Sequence, residues 1–195
     1  MNLSKAIWRI KEKLIEILIQ KNRIMFYTIL SNIKIKANKF QPVLANGEGK
    51  IKIGNNVSFG VKNSQDYYSK YSYLHARRKE SYIEIGDNCW LNNNATIISD
   101  GKNIIIGKNC LIGTNLQIID SDFHDLDPQS RFGGKNIIKK DVLIEENVFI
   151  GNNVTILKGV IIGKNSVIGA SSVVTKRIPE NCIVGGNPAK VIKRI

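Results

Sequence analysis

Two histidines stand in this 195-residue chain, His75 and His124. His124 sits in a polar run, DSDFHDLDPQSRFGGKN over residues 120–136, with carboxylates on both sides. An ordinary imidazole has a pKa of about 6.5 and is mostly neutral in a cell, so it suits proton removal from an attacking hydroxyl or amine. Asp122 or Asp120 would orient such a ring, and the spacing does not choose between them. Ser121 is near in sequence, which is no geometric argument for a nucleophile. His75 falls in a second unusual run, DYYSKYSYLHARRKESY over 66–82, rich in tyrosine and cations. It reads as a solvated loop, or as a loop near an acceptor whose sugar rings stack on tyrosine. On composition it is not a core side.

Both runs interrupt a repeat. Residues 142–174 read VLIEENVFIGNNVTILKGVIIGKNSVIGASSVV, with isoleucine at 144, 150, 156, 162 and 168 and Val174 next. Four residues after each of these sits Val148, Val154, Val160, Ser166 or Ser172. A period of six is neither helical nor simple alternation. It fits a coil of three short sides, each turning one aliphatic inward, in which stacked coils bury what one coil cannot. The polar pairs between, such as Asn152-Asn153 and Lys164-Asn165, suit corners that need positive φ. The repeat also reads at Ile53, Phe59, Ile85, Leu91, Ile97, Ile106, Ile112 and Ile118, with a three-residue slip near Gly101. From Ile118 to Ile144 is 26 residues, eight more than a coil of eighteen, so the His124 run is pushed out as a loop. The expected layout is a helical cap segment over 1–49 and a β-helix over 50–178. Loops protrude at about 62–82 and 120–137, and a tail spans 179–195.

The cap segment has leucine or isoleucine at 3, 7, 10, 14, 17 and 18, one helix face, with Asn2 or Ser4 as its cap. The first forty residues hold nine Lys/Arg against Glu12 and Glu16. Such a helix can cover the open end of the coil or lie on an anionic membrane, and the two roles are compatible. No run reaches the ~18 apolar residues of a membrane span, and no signal-peptide pattern opens the chain. Cys89, Cys110 and Cys182 have no metal spacing, and Cys89 and Cys110 share the inner repeat position of Val148, so a reducing, cytoplasmic setting is expected. The net charge of +13 favours anionic partners. No recognisable nucleic-acid motif accompanies it, and no nucleic-acid partner is expected.

Three segments together resemble the hexapeptide-repeat acetyltransferases: the 142–179 run ending VVTKRIP, the tail GNPAKVI at 186–192, and the protruding loop with its one histidine. The resemblance covers roughly 50–195 and implies an all-β, left-handed parallel β-helix, assembled as a homotrimer with active sites between subunits. It implies acetyl-CoA as co-substrate, no metal, and His124 as the general base, with Asp122 beside it. It places Asn152, Ala170, Thr175, Lys176 and Lys190 on the coenzyme, and Lys193, Arg177 and Arg194 join them as cations for phosphate. Asn93, Tyr73 and His75 are assigned to the acceptor. Many relatives have Trp where this chain has Phe149, which keeps a backbone N–H for the thioester oxygen but no ring donor. Direct transfer to a sugar hydroxyl is expected, in capsule, lipopolysaccharide or other glycan synthesis, with an acidic glycan as acceptor. N-acetylation of an amino sugar, free or nucleotide-linked, is the alternative, and a non-catalytic scaffold a remote one. The larger helical domain of serine acetyltransferases is absent, and two histidines fall short of the three imidazoles of a zinc hydratase on this fold.

Overall fold

The computed structural model describes residues 3–132 and 136–195. Asn2 and the Gly133–Gly134 end of the His124 loop lie outside the described residues. From Asn38 to Gly185 the chain winds into three parallel sheets, one per side of a triangular coil. The first side stacks the strands Asn38–Lys39, Ser58–Phe59, Trp90–Leu91, Leu111–Ile112, Phe149–Ile150, Val167–Ile168 and Cys182–Gly185. The second stacks Val43–Gly47, Ser72–Ala76, Thr96–Ser99, Gln117–Ile119, Thr155–Ile156 and Val173–Val174. The third stacks Lys50–Ile53, Tyr82–Ile85, Asn103–Ile106, Val142–Ile144 and Ile161–Ile162.

The six-residue period explains this shape. Ile144, Ile150, Ile156, Ile162, Ile168 and Val174 are all fully buried, one per side. Val148, Val154, Val160, Ser166 and Ser172 fill the corners behind them, and Cys89, Cys110 and Cys182 are buried free thiols. Backbone N–H groups of one coil donate to carbonyls of the next, as Gly113 does to Ile150 and Gly151 to Ile168, both at 2.8 Å. At the corners Asn56, Asn88, Asn109, Asn147, Asn165 and Asn181 take φ of 55–60°. Asparagine tolerates this region, and its amide also bridges coils: Asn147 donates to Asn165, and Asn165 to Asn181, each at 2.9 Å. Glycine follows an inward aliphatic where coils touch most closely. A Cβ at Gly151 would stand 2.6 Å from the Ala170 nitrogen.

Two boundaries differ from the sequence expectation. The coil starts at Asn38 and not near 50, because Asn38–Lys39 and Val43–Gly47 already pair in parallel with the next coil. Residues 72–76 are a core strand inside the supposed 62–82 loop. Ser72, Leu74 and Ala76 point inward fully buried, while Tyr73 and His75 alternate outward. The outward pair gave the segment its loop-like composition. What protrudes there is the connection of about 61–71. The His124 loop leaves between the second and third sides, and a Ser121–Lys139 bridge closes its neck.

Helix precedes the coil as Leu3–Ile15, a π-helical stretch Glu16–Lys21, and Asn22–Leu30. One face turns toward the 61–71 connection and the first coil. There Glu12 and Glu16 pair with Lys62 at 3.3 and 2.8 Å, and buried Gln20 donates to the carbonyls of Phe40 and Tyr67. Ile7, Ile10, Leu14, Ile17 and Leu18 lie on the other side and are exposed. The later part of the helix therefore covers the coil end while this apolar stripe stays bare. Among the described residues no helix is long and apolar enough to cross a membrane.

Ile156 is enclosed between coils above and below, in register with Ile118 and Val174. Ile156→Ala should lower unfolding stability by about 2–5 kcal/mol, the usual cost of such a cavity. Urea unfolding at one fixed protein concentration reads it, and a loss below about 1 kcal/mol would contradict the packing described.

Candidate active site

The structure brings four of the sequence-assigned residues to one cleft of about 500 Å³, lined by Tyr73, His75, Arg77, Asp122, Phe123 and His124. Tyr73 and His75 come from the outer face of the second side, and the others from the neck of the loop and the turn after Ala76. His124 is exposed. Its Nδ1 lies 3.2 Å from the Arg131 carbonyl oxygen. A carbonyl only accepts, so Nδ1 carries the hydrogen, and in the neutral ring the lone pair stands on Nε2. Neither Asp120 nor Asp122 orients the ring, which corrects the sequence expectation. Asp120 is fully buried, and its oxygens accept from the backbone N–H groups of Asp100 and Lys102. The Asp122 carboxylate is held by Lys158. Its own carbonyl accepts from the His124 backbone N–H at 2.7 Å, so it shapes the loop through the main chain. The other carboxylate oxygen, Oδ2, is buried without a hydrogen-bond partner.

His75 shares a hydrogen bond of 2.8 Å with the Tyr73 hydroxyl through Nδ1. Burial, and then the positive charge of Arg77, push its pKa below the ordinary imidazole value, with Asp100 opposing weakly. The ring is therefore neutral at neutral pH.

Asn93 does not reach the cleft. It is fully buried; its amide donates to the carbonyls of Val61, Ser64 and Gln65, and its oxygen accepts from Val61 N–H. Those bonds occupy the side chain in anchoring the 61–71 connection, so it has none left for an acceptor. Phe149 is likewise corrected. Its N–H donates to the Ser166 carbonyl at 3.0 Å within the ladder and is not free for a thioester oxygen. Its ring stands half exposed on the outer face of the first side, between Leu111 and Val167.

The five coenzyme assignments lie outside the His124 cleft. Asn152 and Ala170 are exposed at the corner between the first and second sides, where the Asn152 side chain accepts from Thr114 N–H. Thr175 and Lys176 follow Val173–Val174, on the edge from which the His124 loop departs but two strands further along, about 10 Å by strand spacing. Lys190 begins the strand Lys190–Arg194, which folds back antiparallel on Cys182–Gly185. Lys176, Arg177, Lys190, Lys193 and Arg194 are all exposed, and among the described residues none is in an ion pair. Such a set suits a polyanion. Among the described residues no group of three or more His, Cys, Asp or Glu is placed to hold a metal ion.

Sequence reasoning missed Arg77 and Lys158. Arg77 was submerged in the cation-rich run, and Lys158 occupies an ordinary corner position of the repeat.

Comparison with known proteins agrees with this architecture. The family description "Bacterial transferase hexapeptide (six repeats)" matches residues 141–176, and "Hexapeptide repeat of succinyl-transferase" matches 103–116. No curated protein matches the chain. Among solved structures, a hexapeptide-repeat-containing acetyltransferase from Vibrio cholerae O1 biovar eltor, complexed with acetyl-coenzyme A, is 31% identical. That match covers 73% of this chain and 70% of the other, with a TM-score of 0.55. A galactoside acetyltransferase in complex with coenzyme A is 32% identical over 74% of this chain and 64% of its own, with a TM-score of 0.55. A maltose O-acetyltransferase from Clostridium difficile 630 is 28% identical over 93% and 88%, with a TM-score of 0.54. The first of these likenesses, on the same coil of short parallel strands, shows that the chain belongs to the hexapeptide-repeat acetyltransferases, with their left-handed parallel β-helix.

Proposed function

We propose that the protein moves the acetyl group of acetyl-CoA to a sugar hydroxyl in glycan synthesis, with His124 as general base. The observation that carries this reading is the His124–Arg131 hydrogen bond, which leaves the Nε2 lone pair as the proton acceptor. The coenzyme supplies an acetyl group activated as a thioester. Nε2 takes the hydroxyl proton as that oxygen attacks, which lowers the barrier typically ~10²–10⁴-fold. The ring then returns the proton to the departing sulfur, so no acyl-enzyme is needed.

Asn152, Ala170, Thr175, Lys176 and Lys190 hold the coenzyme in this reading, the lysines on its phosphates. The distance between these residues and the His124 cleft within one chain supports a homotrimer, in which the cleft of one subunit faces the coenzyme residues of its neighbour. Galactoside and maltose acetyltransferases among the similar structures support a sugar acceptor.

The bare stripe of Ile7, Ile10, Leu14, Ile17 and Leu18 meets an anionic membrane surface, at the inner face where glycan precursors are made. Charge complementarity favours this occupant. Lys62 neutralises Glu12 and Glu16, while Lys5, Arg9, Lys11, Lys13 and Lys21 make no ion pair among the described residues.

Three outcomes test these points. His124→Ala should stay assembled and bind coenzyme while losing about 10²–10⁴ in turnover in a thiol-release assay against a sugar panel; full activity would remove the base. The protein should pellet with phosphatidylglycerol vesicles but not with phosphatidylcholine, and Ile10→Asp/Leu14→Asp should abolish it. A wild type that stays in solution contradicts the membrane contact, as does a variant changed only in oligomer mass by light scattering. Because the folded pKa of His75 is lowered, the unfolded chain binds the proton first. This contribution to stability is full above about pH 6.5 and falls as pH drops toward the folded value. His75→Asn should flatten that acid-side slope in urea unfolding between about pH 7.5 and about pH 5.5; an unchanged slope would contradict a half-buried neutral ring.

A further inference from the structure

We propose that the cleft selects an acceptor carrying a carboxylate, and that Arg77 binds it. This rests on the acetyl-transfer reading for the role of the cleft, and it assigns the substrate class from charge and geometry around one guanidinium.

Arg77 follows the strand Ser72–Ala76 and lines the cleft with His124. Three cations crowd one buried carboxylate beside it. Asp100, with a side chain 2% exposed, accepts from Lys139 at 2.7 Å and from Arg78 Nε at 3.0 Å. Arg77 stands at 3.8 Å, outside hydrogen-bonding distance, with its side chain 41% exposed. Burial works against ionising Asp100, yet the hydrogen bonds of Lys139 and Arg78 carry its pKa below the ordinary carboxylate value. Asp100 is thus already satisfied, and Arg77 is the cation left over. Among the described residues its guanidinium makes no hydrogen bond, so its planar fork of donors faces the cleft unspent.

The fork is also held in place. Its central carbon lies 5.3 Å from the centroid of the Phe123 ring. Phe123 sits at φ +60°, where an aromatic residue is strained, and its N–H is caught by the Ser121 hydroxyl at 3.0 Å. The same strained residue precedes His124, so one turn places both the base and the platform under Arg77. The remaining charges in the cleft do not compete. Asp122 is neutralised by Lys158, and His75 is neutral. A solvated arginine would need neither the platform nor the strain. An arginine serving only Asp100 would stand nearer to it than its two rivals.

The test compares acceptors that differ only in charge: methyl glucuronide, methyl galacturonide and N-acetylneuraminic acid, each against its methyl ester. Wild type should favour at least one acid over its ester by about tenfold or more in kcat/KM, the size of a charge-assisted contact. Arg77→Gln should collapse that ratio toward unity through KM for the acid, and Arg77→Lys should keep part of it. Line broadening of the sugar's proton NMR signals reads binding without turnover. Acids that bind wild type and not Arg77→Gln support the assignment even if no transfer occurs, a result that would sink the transferase reading instead. Acids and esters acetylated equally would overturn the assignment and leave the transferase standing. So would an Arg77→Gln variant that lowers both equally, or the absence of acid binding to wild type.

Discussion

Everything in this molecule depends on the parallel backbone ladder between successive coils. Each coil donates its N–H groups to the next, and each side turns one aliphatic into a shared column. Neither works alone. The ladder demands short straight sides, and the column demands that every side keep step. Where they agree the register cannot slip, because a one-residue shift would turn the isoleucines to solvent and put Glu145, Gly151, Gly163 and Gly169 in their places. The asparagines at positive φ complete the arrangement by turning the corners and bridging coils with their amides. The result is a stiff support with loops tied at fixed points.

That stiffness gives the His124 loop its meaning. The neck is clamped by the Ser121–Lys139 bridge and by Lys158 on Asp122, and Phe123 is pinned in a strained turn. The general base proposed here needs its lone pair held in one direction, and a backbone carbonyl from the same loop restrains the ring. The cleft around it is organised by charge. The buried Asp100 accepts hydrogen bonds from Arg78 and Lys139 and leaves Arg77 at 3.8 Å, without one, while His75 stays uncharged nearby.

Much of this was legible from residue spacing, and the failures have physical causes. The six-residue series from Ile144 to Val174 reads as a coil because inward positions there are almost all aliphatic and the corners between them are mostly polar or glycine. The strand Ser72–Ala76 hides the same alternation. Its inward residues are Ser72, Leu74 and Ala76, small or single, and its outward ones are Tyr73 and His75, so composition points to a loop where the period points to a strand. The helix over 3–20 was plain from its apolar steps, whereas its continuation to Leu30 was not read, and nor was the first coil at Asn38, since Asn38–Lys39 is only two residues long. At the site, His124 stood out by rarity. Its orienting partner did not, because a main-chain carbonyl has no signature in residue type, and nearby aspartates drew the assignment. Asn93 looked available as a polar residue near a corner, yet the burial that makes it valuable to the 61–71 connection removes it from any ligand.

The central claim is that His124 Nε2 stands where it takes the acceptor's hydroxyl proton and passes it to the sulfur of a coenzyme held by residues elsewhere on the coil. The most direct measurement is the distance between that nitrogen and the coenzyme sulfur in crystals grown with coenzyme A. The account expects the two within about 4 Å, with the phosphates among Lys176, Lys190 and their neighbours. A sulfur more than about 8 Å from Nε2, in an assembly where no subunit brings them closer, would contradict it.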